Sequence, residues 1–277
     1  MVMKTKIVVR KAYAAVFIAA LLSISLAMAA RGQSNLVWNG SFEDGPAGQN
    51  VFTDWSWLGG ADNNSDYGVA LAGGGNEVAE QGNYFAYFRG HPTDDSQDCL
   101  GNTVGLTMGA LYNISYYLGT DGPLTNGAAM WVVIGTSFGI SPVDQTLTEF
   151  FPNSATALPY QKFSTIYMDT NPPGPPVILS FHGINASNNL PVTNGILLDN
   201  VSMVLVYPPM NVKFAHPSSL TFTWPYTNSP YRLQSSTNLS TANWTTLSNV
   251  PVNVGTNSQV AMTAGTNRVV FYRLTLP

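Results

Sequence analysis

Cysteine is nearly absent from this chain: Cys99 is the single thiol in 277 residues. One cysteine closes no internal disulfide, so apolar burial and hydrogen bonding must hold the fold unaided. Charge is scarce too, at 9% of residues. No histidine motif accompanies Cys99, which therefore reads as a small buried residue and not as a nucleophile. The three histidines, His91, His182 and His216, stand in no HxH or HExxH spacing and the chain has no CxxC, so no transition-metal site is legible. His182, in the strand-like VILSFHG, reads as a sandwich-surface or satisfied interior residue. GxSxG, a Walker-type glycine loop and nucleic-acid motifs are missing. No segment after the first thirty residues has a convincing helical period, which argues against a parallel α/β enzyme fold.

Acidic residues are missing from one whole part of the chain. All 15 lie between Glu43 and Asp199, so residues 31–206, with only Arg31, Arg89 and Lys162 as bases, carry a formal charge of −12. From Tyr207 onward stand Lys213, Arg232, Arg268 and Arg273 with no acid, a charge of +4. So abrupt a change predicts a domain boundary, and Tyr207-Pro208-Pro209-Met210 reads as a stiff connector. The expected organisation is a leader over 1–29, a large domain over 30–206, a linker over 207–211 and a small domain over 212–277. A domain at −12 repels phosphate backbones, so nucleic acid is not an expected partner.

The leader is argued from its own residues. Lys4, Lys6, Arg10 and Lys11 form a basic start, Ala12 to Leu26 is an apolar run of 15, and Ala27-Met28-Ala29 is the small-residue pattern of a cleavage site. The run is short of the roughly 20 residues of a membrane span. An exported protein, secreted or at the cell surface, with its mature start near Ala30 and no membrane span is the expectation.

What is abundant is Gly, Asn, Thr and aromatics, the composition of chains built from many short strands and turns. Tyr112, Ile114, Tyr116 and Leu118 alternate with Asn113, Ser115 and Tyr117, and MWVVIG from Met130 to Gly135 reads as a strand buried on both faces. Tyr84 to Phe88, Lys162 to Met168 and Val177 to His182 are further strands. In the last part Leu220, Phe222 and Trp224 alternate with threonines, Tyr231 and Leu233 with Arg232 and Gln234, and VVFYRLTL closes the chain. Five or six strands in about 67 residues suit a small fibronectin-like sandwich.

Two motifs some 155 residues apart carry a resemblance: LVWNGSFEDG (Leu36 to Gly45) and ILLDNVSMVLV (Ile196 to Val206). They resemble the opening and closing strands of the galactose-binding-like jelly rolls, the fold of many carbohydrate-binding modules. The resemblance implies that the two strands lie together in an all-β jelly-roll sandwich. In several such families a structural calcium ion binds there, which nominates Glu43 and Asp199; Asn200 stands where a second acid is frequent, and Glu43 capping a turn is the alternative. YRLQSSTNLSTANWTTL with FYRLTL resembles small C-terminal β-domains of secreted bacterial proteins, which implies architecture only.

Sugar binding needs flat apolar faces plus amides and carboxylates for the hydroxyls. Trp55 and Trp57 fall two apart, which would put both on one face of an extended stretch, with Asp54 and Tyr67 near in sequence. Tyr84, Tyr87, Tyr117 and Trp131 are further candidates, whereas Trp38 reads as core. The acid runs Asp62 to Asp66 and Asp94 to Asp98 read as solvated loops; the first lacks the Gly and Glu of an EF-hand loop. The expectation is a secreted, non-catalytic protein binding a polysaccharide or cell-surface glycan. The alternatives are a structural or adhesive surface protein without a sugar site, and a divergent glycoside hydrolase using paired carboxylates.

Overall fold

The computed structural model describes residues 34–49, 51–58, 67–73, 78–89, 98–124, 127–136, 144–170, 175–184, 194–215, 219–226, 228–239, 243–263 and 269–276. The leader and the acid runs at 62–66 and, but for Asp98, 94–98 lie outside them. Every regular element among the described residues is a strand, and no helix there is long and apolar enough to cross a membrane.

The alternating segments become two facing antiparallel sheets. One contains β1 (Gly48–Gln49), β3 (Tyr67–Leu71), β4 (Tyr84–Phe88), β6 (Leu111–Thr120), β9 (Gln161–Met168) and β11 (Ile196–Val206), in the order β1-β3-β4-β11-β6-β9. The other contains β2 (Ser56–Leu58), β5 (Asp98–Val104), β7 (Ala129–Gly135), β8 (Gln145–Phe150) and β10 (Val177–Ile184), in the order β2-β5-β10-β7-β8. This is the jelly-roll sandwich expected from the two end motifs. Tyr112, Ile114, Tyr116 and Leu118 all enter its core, as their spacing predicts. They meet Met130, Val132 and Ile134 of β7 and Leu179 and Phe181 of β10. The Tyr116 and Phe181 rings join the layers edge to face at 5.3 Å.

The opening motif is corrected in detail. Residues 36–45 form turns and no strand, because Asn39 (φ 47°) and Phe42 (φ 57°) are left-handed. The motif still lies against the closing strand: the Leu36 amide donates to the Met203 carbonyl and the Val201 amide to the Gly40 carbonyl, each at 2.8 Å. Any Cβ at residue 40 would overlap the Val201 carbonyl, so the glycine is required there. Trp38, expected in the core, is 71% exposed because it sits on this turn.

β11 is bulged between Asp199 and Ser202, with Asn200 left-handed at φ 49°. The extra residue shifts the alternation, so that Leu198, Val201 and Met203 all face the core while Asp199 faces away.

The last part folds as a second small sandwich. A four-stranded sheet of β12 (Asn211–Ala215), β13 (Ser219–Pro225), β17 (Asn257–Thr263) and β16 (Val252–Val254), in that order, faces a three-stranded sheet of β15 (Thr245–Thr246), β14 (Arg232–Ser236) and β18 (Phe271–Thr275). Among the described residues this part has seven strands, against the five or six expected. Leu220, Phe222, Trp224, Tyr231, Leu233, Val260 and Leu274 form its core. Tyr231 also ties the two sandwiches: its hydroxyl donates to the Val206 carbonyl at 2.8 Å and accepts from the Leu111 amide at 3.1 Å. Desolvation pushes that phenol up to about 12.

Candidate functional site

Strand alternation turns Val177, Leu179 and Phe181 of β10 into the core, and therefore turns Ile178, Ser180 and His182 to the outer face of the five-stranded sheet. Register then builds a row across that face. His182 stands opposite Cys99 on β5 and Trp131 on β7, and Trp131 stands opposite Glu149 on the edge strand β8. One step along, Ser180 lies between Gly101 and Val133.

This outer face is covered at its centre: His182 is fully buried, and Ser180, Cys99 and Val133 are each at most 3% exposed. Trp131 is half-buried and Glu149 exposed, so the row opens toward the β8 edge. His182 Nε2 lies 2.9 Å from the Ser180 hydroxyl and 3.6 Å from the Cys99 sulfur. Two potential donors at Nε2 favour the tautomer with its proton on Nδ1. Burial holds the imidazole down at about 4, with the Asp144 charge acting weakly against it, so the ring is neutral at pH 7. His182 Nδ1 and Trp131 Nε1 are both buried and have no hydrogen-bond partner among the described residues. Two buried ring nitrogens thus sit on adjacent strands with no partner among the described residues. Among the described residues no carboxylate accepts from Nδ1, so those residues do not complete with Ser180 and His182 the hydrogen-bonded three-residue relay of a serine hydrolase.

The two carboxylates nominated for calcium hold one loop. Asp199 Oδ2 accepts from the amides of Glu80 (2.8 Å) and Gln81 (2.9 Å), and its Oδ1 accepts from Asn200 (2.6 Å). Glu43 Oε1 accepts from the amides of Asn83 and Tyr84, both at 2.7 Å. The two acids thus clamp the backbone of residues 80–84 from its two ends. Asp199 is fully buried, and desolvation pushes it up to about 7, against the lowering by its three amide bonds. Both lone pairs of Asp199 Oδ2 and both of Glu43 Oε1 are met by donors, and no three His, Cys, Asp or Glu side chains gather around one point among the described residues. The two amide bonds to Glu43 Oε1 are those of a carboxylate capping a turn.

The other nominated residues do not converge. Trp55 and Tyr67 are corrected to core positions. Trp55 is 5% exposed, stacked on Phe42 at 5.3 Å, and its Nε1 donates to the Asn39 carbonyl. Tyr67 is fully buried between Phe52 and Phe88. Neither offers a ring face to a ligand, since aromatic area this large is more stable inside. Trp57 is 45% exposed with its ring edge-on to Tyr67, and Asp54 is an exposed left-handed turn residue beside it. Tyr84 packs against the core. Tyr87 and Tyr117 face outward on the six-stranded sheet, the opposite side of the sandwich from Trp131, and protein cations already cover them: Arg89 lies 4.8 Å from the Tyr87 ring and Lys162 5.5 Å from that of Tyr117.

Sequence reasoning thus placed Trp131 on the row and missed His182, Ser180 and Cys99 beside it. The available signal was alternation within VILSFHG, which puts Ser180 and His182 on the face opposite Leu179 and Phe181; their partners on β5 and β7 follow only from register.

No protein-family model matches this chain, and no curated protein matches it. Solved structures do. A carbohydrate-binding module, TmCBM61, solved with beta-1,4-galactotriose, is similar at 15% identity and a TM-score of 0.42, over 62% of this chain and 99% of that one. An apo cyclase from Fischerella sp. is similar at 16% identity and a TM-score of 0.43, over 62% of this chain and 95% of that one. The K1 cleaved adhesin domain of Lys-gingipain from Porphyromonas gingivalis W83 is similar at 12% identity and a TM-score of 0.41, over 60% and 96%. At these identities and TM-scores the likenesses assign no role to this chain.

Proposed function

We propose that this chain is an exported, non-catalytic carbohydrate-binding protein that takes a neutral glycan on the outer face of β10, β7 and β8, around Trp131. The observation that supports this reading is the half-buried indole of Trp131 standing opposite the exposed Glu149, where the row opens toward the β8 edge. The indole of Trp131 supplies an apolar plane for the C–H face of a pyranose, and the exposed Glu149 at the sheet edge supplies an acceptor for hydroxyl protons. His182 is neutral and the surrounding sandwich strongly acidic, so an anionic sugar finds no counter-charge on this row.

Affinity electrophoresis of the mature chain on neutral galactan, xylan, arabinan and β-glucan is the test. Retardation is expected on at least one polymer, lost in Trp131→Ala and kept in Trp57→Ala, whose ring is exposed away from the row. Absence of retardation on all four leaves a structural or adhesive surface role ahead, and release of reducing ends from any of them makes the protein a hydrolase.

A further inference from the structure

Trp131 has four neighbours on the outer face of the five-stranded sheet. Ala129 and Val133 share its face two residues away along β7, His182 stands beside it on β10, and Glu149 stands beside it on β8. Three of the four are closed to solvent: Ala129, Val133 and His182 are each at most 2% exposed, whereas Glu149 is exposed. The cover continues beyond these neighbours. Ile178 and Ser180, which share the outer face of β10 with His182, are buried as well. At Gly135, the next outward position of β7, an added Cβ would overlap the Asp144 carboxylate, which accepts from the Thr136 amide at 3.1 Å. The indole therefore stands at a dead end, closed along β7 in both directions and across β10, and open toward the edge strand β8.

We infer that the site takes the terminal ring of a neutral glycan chain and not an internal stretch, an inference that rests on the proposed binding of a glycan at Trp131. A ring inside a chain carries a glycosidic bond on each of two sides, so the polymer must leave the site in two directions. This face leaves one direction open. A terminal ring has one glycosidic bond, and it can reach the indole with the rest of its chain trailing out past Glu149 and over β8. The apolar surface agrees in size. Among the outward residues that register gives for β5, β10, β7 and β8, Trp131 is the one aromatic among the described residues, and a single indole offers a stacking face to one sugar ring. Rings further along the chain meet the edge of the sheet and solvent, where contacts contribute little.

The experiment is calorimetric titration of the full mature chain with linear galactan, xylan, arabinan and β-glucan, each intact and after partial hydrolysis that halves its mean length. Halving the length of a linear polymer doubles its chain ends at constant mass. The number of binding sites per gram should therefore double on hydrolysis for any polymer that binds, and Trp131→Ala should lose binding to both forms. A series of oligosaccharides of the same sugar should gain affinity up to about the second ring and then stay within roughly threefold, because later rings lie beyond the indole. Sites per gram unchanged by hydrolysis, or affinity that keeps climbing through longer oligosaccharides, overturns the terminal-ring inference and leaves a glycan site at Trp131 in place. No binding to any intact or hydrolysed polymer, or binding fully kept by a folded Trp131→Ala, overturns the Trp131 site and this inference together.

Discussion

His182 and Asp199 face outward on opposite sheets of the first sandwich, and their burial pulls stability in opposite directions with pH. His182 is held down at about 4. The unfolded chain takes up its proton below about 6.5 and the folded chain does not, so this residue's contribution is complete above pH 6.5 and is lost as pH falls toward 4. Asp199 is pushed up to about 7. The folded chain keeps that proton while the unfolded chain releases it above about 3.8, so this residue's contribution is complete at low pH and is lost as pH rises toward 7. Between pH 7 and pH 5, each shift amounts to about 2 kcal/mol at 1.36 kcal/mol per pK unit, with opposite signs. From these two groups the wild type should therefore show almost no net change over that range. His182→Gln removes one arm, and the variant should gain about 2 kcal/mol on moving from pH 7 to pH 5; Asp199→Asn should lose about as much. Urea unfolding of the three proteins at pH 5, 6 and 7 measures this directly, and about 2 kcal/mol corresponds to roughly 4–8 °C in Tm for a chain of this size. A ΔΔG for His182→Gln that is the same at pH 5 and pH 7 would refute the assignment of a buried neutral imidazole.

Trp55→Ala should destabilise the first sandwich by about 3–5 kcal/mol, since it empties a core site, so loss of binding in that variant would track unfolding in a melting curve; Trp131→Ala should bind no glycan at an almost unchanged Tm. Tyr231→Phe leaves the Leu111 amide without its side-chain acceptor and the Val206 carbonyl without its donor, a loss of about 1–3 kcal/mol by urea unfolding; an unchanged midpoint would remove the hydroxyl from the junction. Because Glu43 and Asp199 are engaged by the amides of residues 80–84, EDTA should leave Tm within a degree of its starting value, and a fall of several degrees would restore the calcium ion. Exported protein should begin near Ala30 by intact mass, and a species retaining Met1 would count against the leader.

Much of the scaffold was legible because it follows from short-range rules. Alternation in YNISYYLG placed four side chains in the core, and MWVVIG was correctly read as buried on both faces. The pairing of the two end motifs also came through the resemblance. β5 escaped because DCLGNTV contains Gly101 and Asn102, residues that disfavour strands; here Asn102 is buried and its amide donates to the Trp38 and Asp54 carbonyls. LVWNGSFEDG escaped in the other direction: its hydrophobics suggest a strand, but left-handed Asn39 and Phe42 bend it into turns, which is how Trp38 reached the surface.

The sequence by itself determined the all-β class, the change of charge at Tyr207, the absence of disulfides and the faces of individual strands, because period-two alternation and composition act within a few residues. Which strand lies beside which is decided by pairing across the sheet, over separations of more than 80 residues for Cys99 and His182. Only the tertiary structure could therefore bring Cys99, His182 and Trp131 into one row, send Trp55 and Tyr67 inward, and turn Glu43 and Asp199 onto the same loop.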